Sequence, residues 1–176
     1  MKSLSKEERD QRRALYEKLG WKKQTIAAGD GRVFDCYLIP KESCPPALPN
    51  AVIRITPSME EYRTSEHPDQ EAFFGVSEEM PEKFRQFAVM HEVFEFLHIG
   101  LEHSGRCAKA AEMEIRLLMK SALTPAEKNE YLNLRLRFFQ DLVVYTLGFP
   151  DQYTPDDVEE FRGSLRIFHH EERLPA

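Results

Sequence analysis

Hydrophobic and polar positions change their period along the chain, with short apolar runs before Pro81 and helical spacing after it. Ser5-Lys-Glu-Glu8 has the S-x-x-E form of a capping box and predicts a helix that stops near Gly20. Leu15, Tyr16 and Leu19 are its few large apolar residues, which suits a narrow packing edge or an interaction arm. Trp21 to Ala28 then starts a strand, and Ala28-Gly-Asp-Gly31 reads as a turn. From Arg32 to Ile39, Val33, Asp35, Tyr37 and Ile39 alternate with Phe34, Cys36 and Leu38, so a hairpin across the turn is the economical reading. Pro45, Pro46 and Pro49 make residues 41–50 a loop. Ala51 to Thr56 is strand-like, residues 57–70 are polar, and Ala72 to Val76 predicts a short strand immediately ahead of the first long helix.

That helix is the stretch Phe84 to Glu102, FRQFAVMHEVFEFLHIGLE, apolar on nearly every face yet carrying His91, Glu92, Glu95, His98 and Glu102. At about 100° per residue, His91, Glu95, His98 and Glu102 fall within roughly 60° of one another. Phe84, Phe87 and Ala88 extend the same stripe toward the helix start, so the polar line is expected to be half-buried and to need partners. A break at His103-Ser-Gly105 precedes a second helix from Arg106 to Ser121. Thr124-Pro-Ala-Glu127 combines a cap, a first-turn proline and a capping glutamate, and opens a helix to about Gly148 with Leu132, Leu136, Phe139, Val143 and Leu147 at helical spacing. Thr154-Pro-Asp-Asp157 caps a last helix ending near His169. The order predicts an α+β fold, a small N-terminal β-sheet followed by a helical C-terminal half, as one domain over residues 1–176.

A length of 176 residues and a hydrophobic content of 41% are enough for one domain with a real core. A formal charge of −6, with both signs mixed throughout, argues against a nucleic-acid partner. No run of 18 apolar residues predicts a membrane span, and the N-terminus MKSLSKEERDQRR is too polar for a secretory signal, so a soluble, cytoplasmic protein is expected. Cys36, Cys44 and Cys107 form an odd set without a CxxC pair, which fits a reducing compartment and buried thiols.

The chemistry concentrates in His91-Glu92-x-x-Glu95, one residue removed from the H-E-x-x-H pattern of zinc peptidases. There two imidazoles one turn apart bind one metal ion, and the intervening glutamate acts as general base. Glu95 stands where the second imidazole would be; a carboxylate also binds zinc but makes the site more anionic. His98 offers an alternative imidazole, although the i, i+4 pair reaches one ion more easily than the i, i+7 pair. A third ligand has to come from another element, and Glu112 and Glu114 of the next helix are the candidates. Cys107, Ala111, Glu114 and Leu118 share one face of that helix and Glu112 turns away, which favours Glu114. A glutamate on an apolar face demands a partner, and the polar stripe is the nearest one expected.

A strand just before such a helix and an acidic residue on the following helix resemble the zincin-like metallopeptidases, especially the gluzincin-type and ImmA-like domains, over roughly Ala51 to Leu118. The resemblance implies zinc as cofactor, His91 as ligand, Glu92 as the base that activates water, Glu114 or Glu112 as third ligand, and a peptide or protein substrate. Glu95 departs from the family pattern.

Other readings stay open on the residues alone. The stripe also makes sense as a buried line of ion pairs with Arg106 and Arg116. Glu95-x-x-His98 matches the E-x-x-H of di-iron bundles, but the chain lacks the second copy that such a site needs. His169-His170 reads as a solvated tail, and a Cys107 nucleophile with His103 rests on local proximity alone. Two functions follow: a zinc-dependent hydrolase with ligands among His91, Glu95, Glu114 and His98, or a catalytically silent binding or regulatory module on the same scaffold.

Overall fold

The computed structural model describes residues 6–27, 33–55, 73–97 and 105–175. The described residues form an α+β fold in which a four-stranded sheet occupies the N-terminal half and helices the rest. The turn at residues 28–31, the polar stretch 57–70 and the helical extension over residues 98–102 lie outside the described residues.

The chain divides into two compact units, one comprising Met1–Pro45 and Pro49–Glu92, the other Pro46–Leu48 and Val93–Ala176. The first contains α1 (Lys6–Lys18), β1 (Lys23–Ala27), β2 (Val33–Ile39), a 3-10 turn at Lys41–Ser43, β3 (Val52–Ile55) and β4 (Phe73–Ser77). The expected hairpin is present: β1 and β2 pair antiparallel, with Lys23 opposite Tyr37 and Ala27 opposite Val33. β4 then inserts beside β2 in parallel and pairs antiparallel with β3, giving the order β1-β2-β4-β3. Alternation along β2 is broken toward its end, where Cys36, Tyr37 and Ile39 are all buried while Val33 is exposed. Tyr37 is covered because α1 returns over it: Tyr16 stacks on Trp21 at 4.2 Å, and the Tyr37 hydroxyl donates to Glu17 at 3.2 Å. Leu15 and Leu19 remain exposed, so α1 packs by the narrow edge its composition predicts.

β4 leads through a tight turn into α2 (Glu82–Leu97), an unbroken helix that continues past the unit boundary. The turn is pinned by backbone and side-chain bonds. Glu78 N–H donates to the Ile39 carbonyl at 2.9 Å, while Arg85 caps the exit by donating to the carbonyls of Met80 at 2.9 Å and Glu78 at 3.1 Å. This is how the strand aims the helix that carries His91.

The second unit holds the end of α2 with α3 (Arg106–Lys120), α4 (Pro125–Leu147) and α5 (Pro155–His170). Its core comes from Ala111, Ile115 and Leu118 of α3, Leu132, Phe139 and Val143 of α4, and Val158 and Phe168 of α5. α3 and α5 approach closely, since a Cβ built at Gly163 would stand 3.3 Å from the Ala108 Cβ. Leu147, predicted to close the apolar stripe of α4, is exposed: it lies in the last turn, beyond the packed residues Val143 and Thr146. Among the described residues no helix is long and apolar enough to cross a membrane.

Candidate metal centre

α2 is so rich in apolar residues that its polar stripe cannot stay in water. Phe84, Ala88, Val89 and Val93 are fully buried, and the same packing takes in His91 at 2% exposure and Glu95 at 9%. The expected half-burial is thus exceeded on this stretch of the stripe. Residues four apart share one helix face, so the imidazole and the carboxylate sit one turn apart.

The second residue of α3, Cys107, is 2% exposed. One donor atom each from His91, Glu95 and Cys107 lies within 4.8 Å of the other two. Donors around a tetrahedral zinc ion stand about 3.3–3.8 Å apart, given bond lengths of about 2.0–2.3 Å, so the spacing here is up to about 1 Å wider than a closed tetrahedral set. Nitrogen, oxygen and sulfur donors are all ordinary ligands of a transition-metal ion, so the group could hold one. The Cys107 sulfur also accepts a hydrogen bond from the Ser164 hydroxyl of α5 at 2.9 Å.

Glu114 has a different setting. Its carboxylate, fully buried on the predicted face of α3 with Cys107, Ala111 and Leu118, accepts from Arg135 Nε at 2.7 Å and Nη2 at 3.1 Å and from the Tyr131 hydroxyl. The partners that sequence reasoning sought on the preceding helix are here supplied by α4. Arg135 itself lies over the rings of Phe139 at 4.8 Å, Phe138 at 4.9 Å and Phe168 at 5.8 Å. Burial, reinforced by the Glu114 charge and its hydrogen bond and partly offset by Arg135, holds the Tyr131 hydroxyl well above its ordinary 10.0.

Of the other candidates, Glu92 is half-buried beside His91, Glu112 is exposed, and His98 lies outside the described residues, as does His103. Arg106 pairs with Glu160 of α5 at 3.9 Å and Arg116 is exposed, so the arginines invoked for an ion-pair line are spent elsewhere or face water. His169 and His170 are exposed at the end of α5. A cavity of about 540 Å³ between α3 and α5 carries Asp156, Glu159 and Glu160, but Arg166 answers Glu159 at 2.8 Å and Arg106 answers Glu160.

Sequence reasoning did not select Cys107 as a donor. The signal was present: its place on one face with Ala111 and Glu114 puts it on the buried side of α3, at the end nearest in sequence to the stripe. Comparison of the chain with family models, with curated proteins and with solved structures finds no match.

Proposed function

We propose that this chain is a transition-metal-binding protein that holds zinc with His91, Glu95 and Cys107, and that the ion serves a structural or regulatory purpose. The observation that carries this reading is the grouping of three buried side chains with nitrogen, oxygen and sulfur donors within 4.8 Å of one another. A thiolate in the set speaks for zinc or a similar borderline ion over magnesium and calcium, which take oxygen ligands. Burial of all three donors supports an ion enclosed by protein, as structural sites are. Two anionic donors neutralise a divalent ion, which leaves it less able to acidify a bound water.

Peptide hydrolysis, the activity that the zincin resemblance implies, is the second reading. What favours it is Glu92, half-buried and directly after His91, where the general base of H-E-x-x-H stands. Glu114, the third ligand of that reading, is engaged by Arg135 and Tyr131.

Elemental analysis of the purified full-length chain is expected to find about one equivalent of zinc, lost in His91→Ala and Cys107→Ser. No metal after mild purification, together with no uptake on zinc titration, sinks the proposal. Peptide hydrolysis that disappears in Glu92→Gln with metal content unchanged replaces the structural role with the hydrolytic one.

A further inference from the structure

We infer that Ser164 is a positioning residue of the metal centre, donating its hydroxyl proton to the Cys107 sulfur and so fixing the orientation and donor strength of that ligand. The inference rests on the proposal that Cys107 binds the ion and adds the group that tunes it.

Small side chains line the crossing of α3 and α5. Gly163 and Ala108 let α5 and α3 come close enough that an added Cβ at position 163 would sit 3.3 Å from the Ala108 Cβ. Their neighbours, Ser164 and Cys107, meet at the same crossing, with the Ser164 Oγ 2.9 Å from the Cys107 Sγ and donating to it. Ser164 is fully inaccessible and Cys107 is 2% exposed, so the hydroxyl is poorly placed to satisfy itself with water. A buried hydroxyl without a partner is costly, and here the sulfur accepts its proton.

The sulfur is suited to that bond as a thiolate. Cys107 stands in the first turn of α3, whose N-cap, Gly105, makes no side-chain cap, and no acidic side chain occupies that turn. The helix dipole favours negative charge there. A hydroxyl donating to a metal-bound thiolate restricts rotation about the Cβ–Sγ bond and withdraws electron density from sulfur. Partners of this kind, behind the ligands themselves, commonly change metal affinity about 10- to 100-fold.

Cobalt(II) titration of the full-length chain tests this, because a thiolate bound to cobalt gives a near-ultraviolet charge-transfer band that reports directly on the sulfur. The wild type is expected to bind one Co(II) with that band, and Cys107→Ser to lack it. Ser164→Ala is expected to keep the stoichiometry, weaken binding about 10-fold or more and move the band to lower energy, because sulfur relieved of the hydrogen bond is easier to oxidise. Ser164→Thr, which retains a hydroxyl, is expected to return both readouts toward the wild type.

An unshifted band in a folded Ser164→Ala variant overturns the inference, whether or not affinity falls, since a purely packing role changes affinity without changing the sulfur. If Cys107→Ser meanwhile lacks the band, the metal proposal stands and only the role of Ser164 is lost. Absence of Co(II) binding by the wild type, or a band retained in Cys107→Ser, overturns both.

Discussion

Arg135 keeps its guanidinium at 2% exposure, among aromatic rings and against a carboxylate that is itself fully buried. Such a pair gains little over an apolar pair of the same shape, yet leaving one charge alone is expensive. Arg135→Met should therefore destabilise the protein by about 3–5 kcal/mol, because Glu114 stays buried and loses both guanidinium bonds. The double variant Glu114→Gln, Arg135→Met should recover most of that loss in urea unfolding; a double variant no more stable than the single one refutes the argument. At this scale the sequence already showed that Glu114 needed a partner. It also displayed Arg135 between Leu132 and Phe139 on the apolar stripe of its helix, an arginine as conspicuous as the glutamate. That the two belong together depends on how α3 and α4 pack, and many pairings were compatible with the same spacing.

Helices α4 and α5 begin with the same device. The Thr124 hydroxyl oxygen accepts from Glu127 N–H at 3.3 Å while the Glu127 carboxylate accepts from Thr124 N–H at 2.9 Å, and Thr154 with Asp157 repeats the arrangement at 3.2 and 2.8 Å. A proline follows each cap, where its missing N–H does no harm. Thr124→Ala is expected to lower stability by about 1 kcal/mol and to speed amide exchange in the first turn of α4. Unchanged exchange there would show that packing alone holds the helix start. These starts were legible because capping is local chemistry, complete within four residues. Burial along an element was less so: the stripe of α2 sits deeper than its polar residues suggest, and Leu147 ends a periodic pattern in water. Periodicity identifies a face but not where its cover ends.

For the molecule as a whole, an ion that binds only the folded chain adds its binding energy to stability. Under the metal proposal, zinc at 100 times its dissociation constant would contribute about 2.7 kcal/mol. For a chain of this length that should raise the melting temperature by about 5–10 °C, a rise that a chelator reverses and His91→Ala abolishes. Equal melting temperatures with and without zinc would contradict binding to the folded state. The α+β order, the hairpin, the strand ahead of α2, the caps and the His91–Glu95 pair were all legible in the chain, because they follow from periodicity and contacts within a few residues. Long-range packing placed β4 between β2 and β3, set Glu114 against Arg135, and brought the Cys107 sulfur within 4.8 Å of donors on His91 and Glu95, with Ser164 donating to it. Those choices join residues far apart in the chain. Spacing says which side chains are buried on a helix, but only packing against other helices says which buried groups meet.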